Sequence, residues 1–243
     1  MIPIGDDNRG RRATPFINWL LILGNLGVFI YQLTLPMADL EQFVFAYGAI
    51  PGDLTSTFPS ISTESMSVYA TVFTSMFMHG SIAHFLGNML FLWVFGDNIE
   101  DAMGHVGYLL FYLAGGLSAA VAHIAFDPNS AIPMIGASGA ISAVMGAYLL
   151  LFPTGMVRVL IFIGIPLLFA VPAILVLGLW FVMQLMSGVA ALEGAGEAAG
   201  GIAFWAHVGG FVAGAVLVWF FRDPQAVHRQ KMARSGRRAF GRM

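Results

Sequence analysis

Six stretches of this sequence are apolar over nearly the length needed to cross a lipid bilayer. They are Phe16 to Leu35, Ile82 to Ile99, Val106 to Phe126, Gly136 to Phe152, a segment within Val159 to Ser187, and Ile202 to Phe221. A helix needs about 20 such residues to cross a hydrocarbon core of about 30 Å. Backbone polar groups find no water in that core, so a spanning segment of continuous hydrophobicity must satisfy them within itself, as a helix does. Composition agrees, with 58% hydrophobic and 10% charged residues, which is too little polar surface for a soluble domain. The chain is therefore expected to be an all-α polytopic membrane protein with six transmembrane helices. The fifth stretch is overlong and interrupted by Pro166 and Pro172. Its helix is expected to start beside one of those prolines, where the missing N–H does no harm, with the preceding residues along the interface.

Six spans put both ends of the chain on one side, and the basic residues test that arrangement. Ten of the 11 Lys and Arg lie in the first twelve positions or from Arg222 onward, and the remaining one, Arg158, falls in the loop between the fourth and fifth spans. All of them then share one face, which the positive-inside rule makes cytoplasmic. The chain divides into a basic tail over 1–13, a membrane domain over 14–222 and a second basic tail over 223–243. The first span lacks a convincing cleavage site and is expected to be retained. The opposite face receives a long loop over about 36–81, a short one from Asp127 to Ile135, and a Gly/Ala/Glu loop from Gly188 to Gly201. The C-terminal tail is expected to be flexible and to touch anionic lipid headgroups, at about 1 kcal/mol per basic residue. It has no interleaved aromatics, so nucleic acid is not an expected partner. The absence of cysteine removes thiolate chemistry.

Polar residues inside spans are the informative ones, because each must be satisfied internally or serve a function. The second span supplies His84 and Asn88, four apart on one helical face. The fourth supplies Ser138 and Ser142, and the sixth supplies His207. With the orientation above, all three helices begin at the outer face. At 1.5 Å per residue Ser138, His84, Asn88 and His207 all lie within roughly 10 Å of their helix starts. Two stripes of small residues, Ser138/Ser142/Gly146 and His207/Gly210/Gly214, would let the fourth and sixth helices approach closely. Taken alone, Ser138 reads as a packing serine bonded to the carbonyl one turn back. With His207 at matching depth it reads as a nucleophile beside its base, at a helix N-terminus whose free N–H groups suit an oxyanion.

Three segments in this order, "HGSIAHFLGNMLFLWVFGDNIED" (His79 to Asp101), "GASGAISAVMGAY" (Gly136 to Tyr148) and "AHVGGFVAG" (Ala206 to Gly214), resemble the rhomboid intramembrane serine proteases of the bacterial type. The resemblance spans Phe16 to Phe221. It implies a compact rhomboid-like six-helix bundle with a catalytic Ser138–His207 dyad and an oxyanion hole of His84, Asn88 and the Ser138 N–H. Gly136, Gly139, Ser142, Gly146, Gly210 and Gly214 would support helix packing. It further implies cleavage of single-pass membrane proteins in or beside their transmembrane segments, without cofactor or metal. The location implied is the bacterial cytoplasmic (inner) membrane, with the site opening to the outer face. Two departures stand out: the tyrosine that some members carry one turn after the nucleophile is Ser142 here, and the first outer loop lacks the common Trp-Arg pair. Glu100 resembles a family position that secures a neighbouring helix or loop, and His79 and His105 read as structural. The alternative function is a catalytically silent relative that binds the transmembrane helices of client proteins. A transporter is disfavoured by the lack of inverted repeats.

Overall fold

The computed structural model describes residues 2–191 and 203–240, with side chains up to 236. The expected loop from Gly188 to Gly201 falls largely outside the described residues. Helices dominate. After a short strand β1 (Ile2–Gly5) come α1 (Phe16–Thr34), α2 (Met37–Tyr47), α3 (Pro51–Thr57) and α4 (Thr63–Thr74). They are followed by α5 (Ile82–Met103), α6 (His105–Phe126), α7 (Ser138–Leu151), α8 (Ala173–Ala190), α9 (Phe204–Phe221) and α10 (Pro224–Phe240). Four of these, α1, α6, α8 and α9, are long and apolar enough to cross a membrane. The α4 segment and α5 qualify together across an 83° bend, and α7 is a shorter apolar helix. The sequence-derived helix starts agree with these to within two residues at Phe16, Ile82, Val106, Gly136 and Ile202, and the fifth helix starts directly after Pro172.

The all-α expectation needs one correction. Residues ahead of the fifth helix fold into a hairpin of β2 (Met156–Ile163) and β3 (Ile165–Pro172), and β1 joins β2 to give a sheet of order β1-β2-β3, antiparallel throughout. Val157, Val159, Ile161, Ile163 and Ile165 are β-branched and favour the extended backbone. Gly164, at φ +78°, makes the turn that such residues cannot. Pro166 and Pro172 lie in an edge strand, where a missing N–H is tolerated.

The short helix α7 is the centre of the bundle: Ala140 through Tyr148 are all buried. Small residues let α9 lie against it backbone to backbone. A Cβ on Gly146 would run into the Phe211 carbonyl, and one on Gly214 into the Ala143 carbonyl. Gly139 meets Ala119 of α6 on its other side. Packing of this kind replaces the hydrophobic drive that lipid does not supply.

The end of the bundle that carries both chain termini is held by a buried polar cluster on the last turns of α5. Glu100 is fully buried, and its carboxylate accepts from the N–H groups of Ile17 and Asn18 at 2.9 and 2.8 Å, capping an α1 that has no side-chain cap of its own. This is the securing role the sequence suggested for Glu100, and the His105 ring contacts the same carboxylate. Asp97 pairs with Arg11 at 2.7 Å. Asp101 accepts from the backbone of Arg12 and Ala13 and from the side chains of Arg229 and Gln230. The expectation of a flexible basic tail is thereby corrected: Gln230 is fully buried, and Arg234 donates to Asn98 at 2.7 Å, so α10 is docked at least this far. Arginines facing buried carboxylates make charge-assisted bonds that a solvated tail would forgo.

Candidate active site

The site is built at the opposite end, where α5, α7, α8 and α9 meet. The chain reaches α7 through a segment tied to the long loop: Ala49 and Met134 exchange backbone hydrogen bonds of 3.1 and 2.8 Å, and the Gly136 N–H donates to the Ser75 carbonyl at 2.9 Å. Gly136 turns the chain at φ +126°, and a Cβ there would lie 2.7 Å from Cε1 of His84. Glycine is required on both counts, since the backbone conformation is one L side chains rarely adopt and the space is taken by the imidazole. Gly136 therefore acts before the helix, against His84, and not as a helix-packing residue.

Ser138 is the first residue of α7 and His207 lies in the first turn of α9, 69 positions later. Ser138 Oγ and His207 Nε2 are 2.7 Å apart. The α7–α9 approach at Gly146 and Gly214 brings the two helix starts to this distance. Ser142 takes the packing role, its hydroxyl donating back to the Ser138 carbonyl at 2.6 Å. The back-bonded packing serine of this helix is therefore Ser142, while the Ser138 hydroxyl faces His207.

A cavity of about 740 Å³ opens over the pair, and His84, Asn88, Trp180 and Gln184 line it with Ser138 and His207. Asn88 is 7% exposed, and its Nδ2 donates to no acceptor among the described residues. A buried amide without a partner is costly unless something else occupies its donor, which suits a group that binds in the cavity. As the first residue of α7, Ser138 presents an N–H for which the helix supplies no acceptor. His84 is backed by His79, whose ring meets it edge-on with centroids 5.2 Å apart. The His79 backbone is itself held on both sides by Gln32, which donates to its carbonyl and accepts from its N–H.

Two residues of the site were not singled out from the sequence. Gln184 Oε1 lies 2.7 Å from Nδ1 of His207, and Trp180, one turn earlier on α8, packs its ring 6.0 Å from the same imidazole. The available signal was Gln184 itself, a strongly polar side chain in the middle of the fifth apolar span.

The fold and this site define a multi-pass integral membrane protein that presents a hydrogen-bonded serine and histidine at one end of its bundle. A family model for the rhomboid domain matches residues 67–224, and the chain belongs to the rhomboid family. Among characterised relatives, Rhomboid protease GluP of Bacillus subtilis is 41% identical over 76 residues, 31% of this chain and 14% of that protein. Rhomboid protein 1, mitochondrial, of Saccharomyces cerevisiae is 26% identical over 174 residues, covering 70% of this chain and 47% of the yeast protein. Rhomboid-like protein 11, chloroplastic, of Arabidopsis thaliana is 24% identical over 237 residues, covering 95% of this chain and 74% of the plant protein. The chain thus spans less than half the length of the first two.

Proposed function

We propose that the protein is an intramembrane serine endopeptidase that cuts single-pass membrane proteins in or beside their transmembrane segments. The observation that carries this reading is the 2.7 Å contact between Ser138 Oγ and His207 Nε2 over an open cavity. His207 removes the hydroxyl proton as Ser138 attacks the scissile carbonyl, and the oxygen that gains charge is met by the Ser138 N–H, Asn88 Nδ2 and His84. His207 then delivers the proton to the departing amine, leaving an ester on Ser138. A water molecule deprotonated by the same histidine hydrolyses that ester and restores the serine. No cofactor or metal enters these steps. A relative that only holds client helices would need neither a base on the serine nor an unpartnered donor beside it.

In this reading the bundle has six spans, with α1, α5, α6, α7, α8 and α9 crossing the bilayer and both termini cytoplasmic, which the distribution of the eleven basic residues supports. The cavity then opens toward the outer face of a bacterial inner membrane. GluP, a relative of this chain, carries the name of a rhomboid protease, which supports the activity. The test is cleavage of a fluorescently tagged single-span protein in proteoliposomes by the wild type, Ser138→Ala and His207→Ala, together with labelling by a fluorophosphonate. Both variants should lose cleavage, and Ser138→Ala should lose the label. Cleavage by either variant at the wild-type rate would refute the assignment.

A further inference from the structure

A histidine that must take a proton on Nε2 has to carry its own proton on Nδ1, and something has to hold it in that form. Asparagine, aspartate or a stacked tyrosine are familiar solutions elsewhere, but Ser142 stands one turn after Ser138 and is committed to the Ser138 carbonyl. What faces Nδ1 of His207 is the Gln184 side chain of α8, with Oε1 at 2.7 Å. An amide oxygen only accepts, so this contact requires a proton on Nδ1 and leaves Nε2 bare toward the Ser138 hydroxyl. The ring is fixed at both nitrogens at once, by α8 on one side and α7 on the other. Trp180 limits its tilt, packing at 38° to the imidazole plane.

We infer that Gln184 is the positioning residue for His207, selecting its tautomer and aiming Nε2 at Ser138. The inference rests on the Ser138–His207 reading. It goes beyond that reading by assigning a fourth helix, α8, to the catalytic arrangement. Between the buried Ala173, Val176 and Leu177 of its first turns and Gly188 near its end, α8 meets α9 through side chains alone, with Trp180 and Phe181 stacking on Phe211 and Gln184 reaching His207. Catalytic competence is then linked to how α8 rests against α9. Any outward displacement of α8 opens the Nδ1 bond before it disturbs the bond to Ser138.

Three substitutions in the full chain test this, read with the tagged single-span substrate in proteoliposomes. Gln184→Met keeps length and bulk but removes the acceptor; kcat should fall ten- to a hundredfold with KM within twofold. Gln184→Glu restores an acceptor and adds a charge that favours imidazolium, so kcat should recover at high pH while the acid limb of the pH–rate profile moves to higher pH. The other titratable side chains near His207 are His84 on α5 and His123 on α6, and both are unchanged in these variants. Gln184→Asn, one methylene short, should behave like Gln184→Met. A Met variant with wild-type kcat overturns the inference, as does a Glu variant that is as slow as Met at every pH. Should the Met variant fail to fold, a folded Glu variant whose acid limb coincides with that of the wild type overturns it equally. Cleavage by Ser138→Ala would instead strike at the dyad itself, so the two failures are distinguishable.

Discussion

Substituting alanine for Gly136 should slow catalysis without greatly changing substrate affinity, and the structure allows the size of the effect to be worked. A Cβ at this position meets His84 Cε1 at 2.7 Å and Nε2 at 2.9 Å, so the ring must retreat by about 0.7 Å to reach the 3.4 Å of ordinary contact. The backbone, held at φ +126°, adds strain of about 1 to 3 kcal/mol. An oxyanion donor works at about 2.7 to 3.1 Å, and removing one costs about 10²- to 10³-fold in kcat. Displacing one by this much should forfeit most of that, so a fall of roughly 30- to 300-fold in kcat is expected. The assay is steady-state cleavage in proteoliposomes for Gly136→Ala, His84→Ala and the double variant. If the clash acts through His84, the two losses will not add, because the double variant lacks the ring that the methyl displaces. Full additivity, or a Gly136→Ala enzyme within threefold of wild type, would refute the argument.

The remaining expectations concern packing and the far end of the bundle. Gly214→Val should force α9 away from the Ala143 carbonyl, abolishing fluorophosphonate labelling of Ser138 and lowering the thermal midpoint in detergent. Glu100→Ala leaves the N–H groups of Ile17 and Asn18 unpaired in a buried setting and should destabilise the fold by about 2 to 5 kcal/mol, read by unfolding in mixed micelles. Burial, and then the nearby Asp97, push the Asp6 carboxyl up to about 7, against the hydrogen bond from Tyr148. Between about pH 4 and 7 the folded state therefore holds a proton that the unfolded chain has released. Stability should fall across that window and level off above it, with protection of Ile2–Gly5 against hydrogen exchange declining in parallel. Asp6→Asn should remove this dependence.

Much of the framework could be read from the sequence because lipid imposes a simple rule on it. Uninterrupted apolar runs mark helices, and starts at Phe16 and Ile82, and within two residues of Phe204, needed no tertiary information. The same rule left Val159 to Pro172 without an element, where an apolar run forms a hairpin: hydrophobicity alone cannot separate a strand from a helix, and the β-branched residues around Gly164 were the better guide. The docking of α10 was also hidden, since a basic segment looks solvated until its partners Asp101 and Asn98, 128 to 136 positions earlier, are brought beside it. At the site, Ser138 and His207 could be paired by depth and by the small residues between their helices. Gln184 could not, because nothing in the sequence fixes which way α8 faces. Gly136 shows the opposite case, a residue whose importance was visible and whose reason was not.

The length of α7 has a consequence for where a substrate is cut. With 14 residues the helix is about 21 Å long, against a hydrocarbon core of about 30 Å. If its inner end is level with those of its neighbours, its first residue lies roughly 9 Å beneath the opposite lipid boundary. The helix is in effect a ruler whose zero is the terminal end of the bundle and whose tip carries Ser138. Under the proposed activity, the bond hydrolysed is chosen by its depth as much as by its side chains, and a transmembrane segment must unwind at that level to offer it. Lengthening α7 by one turn should raise the proposed cut by about 5.4 Å, from within the bilayer toward its edge.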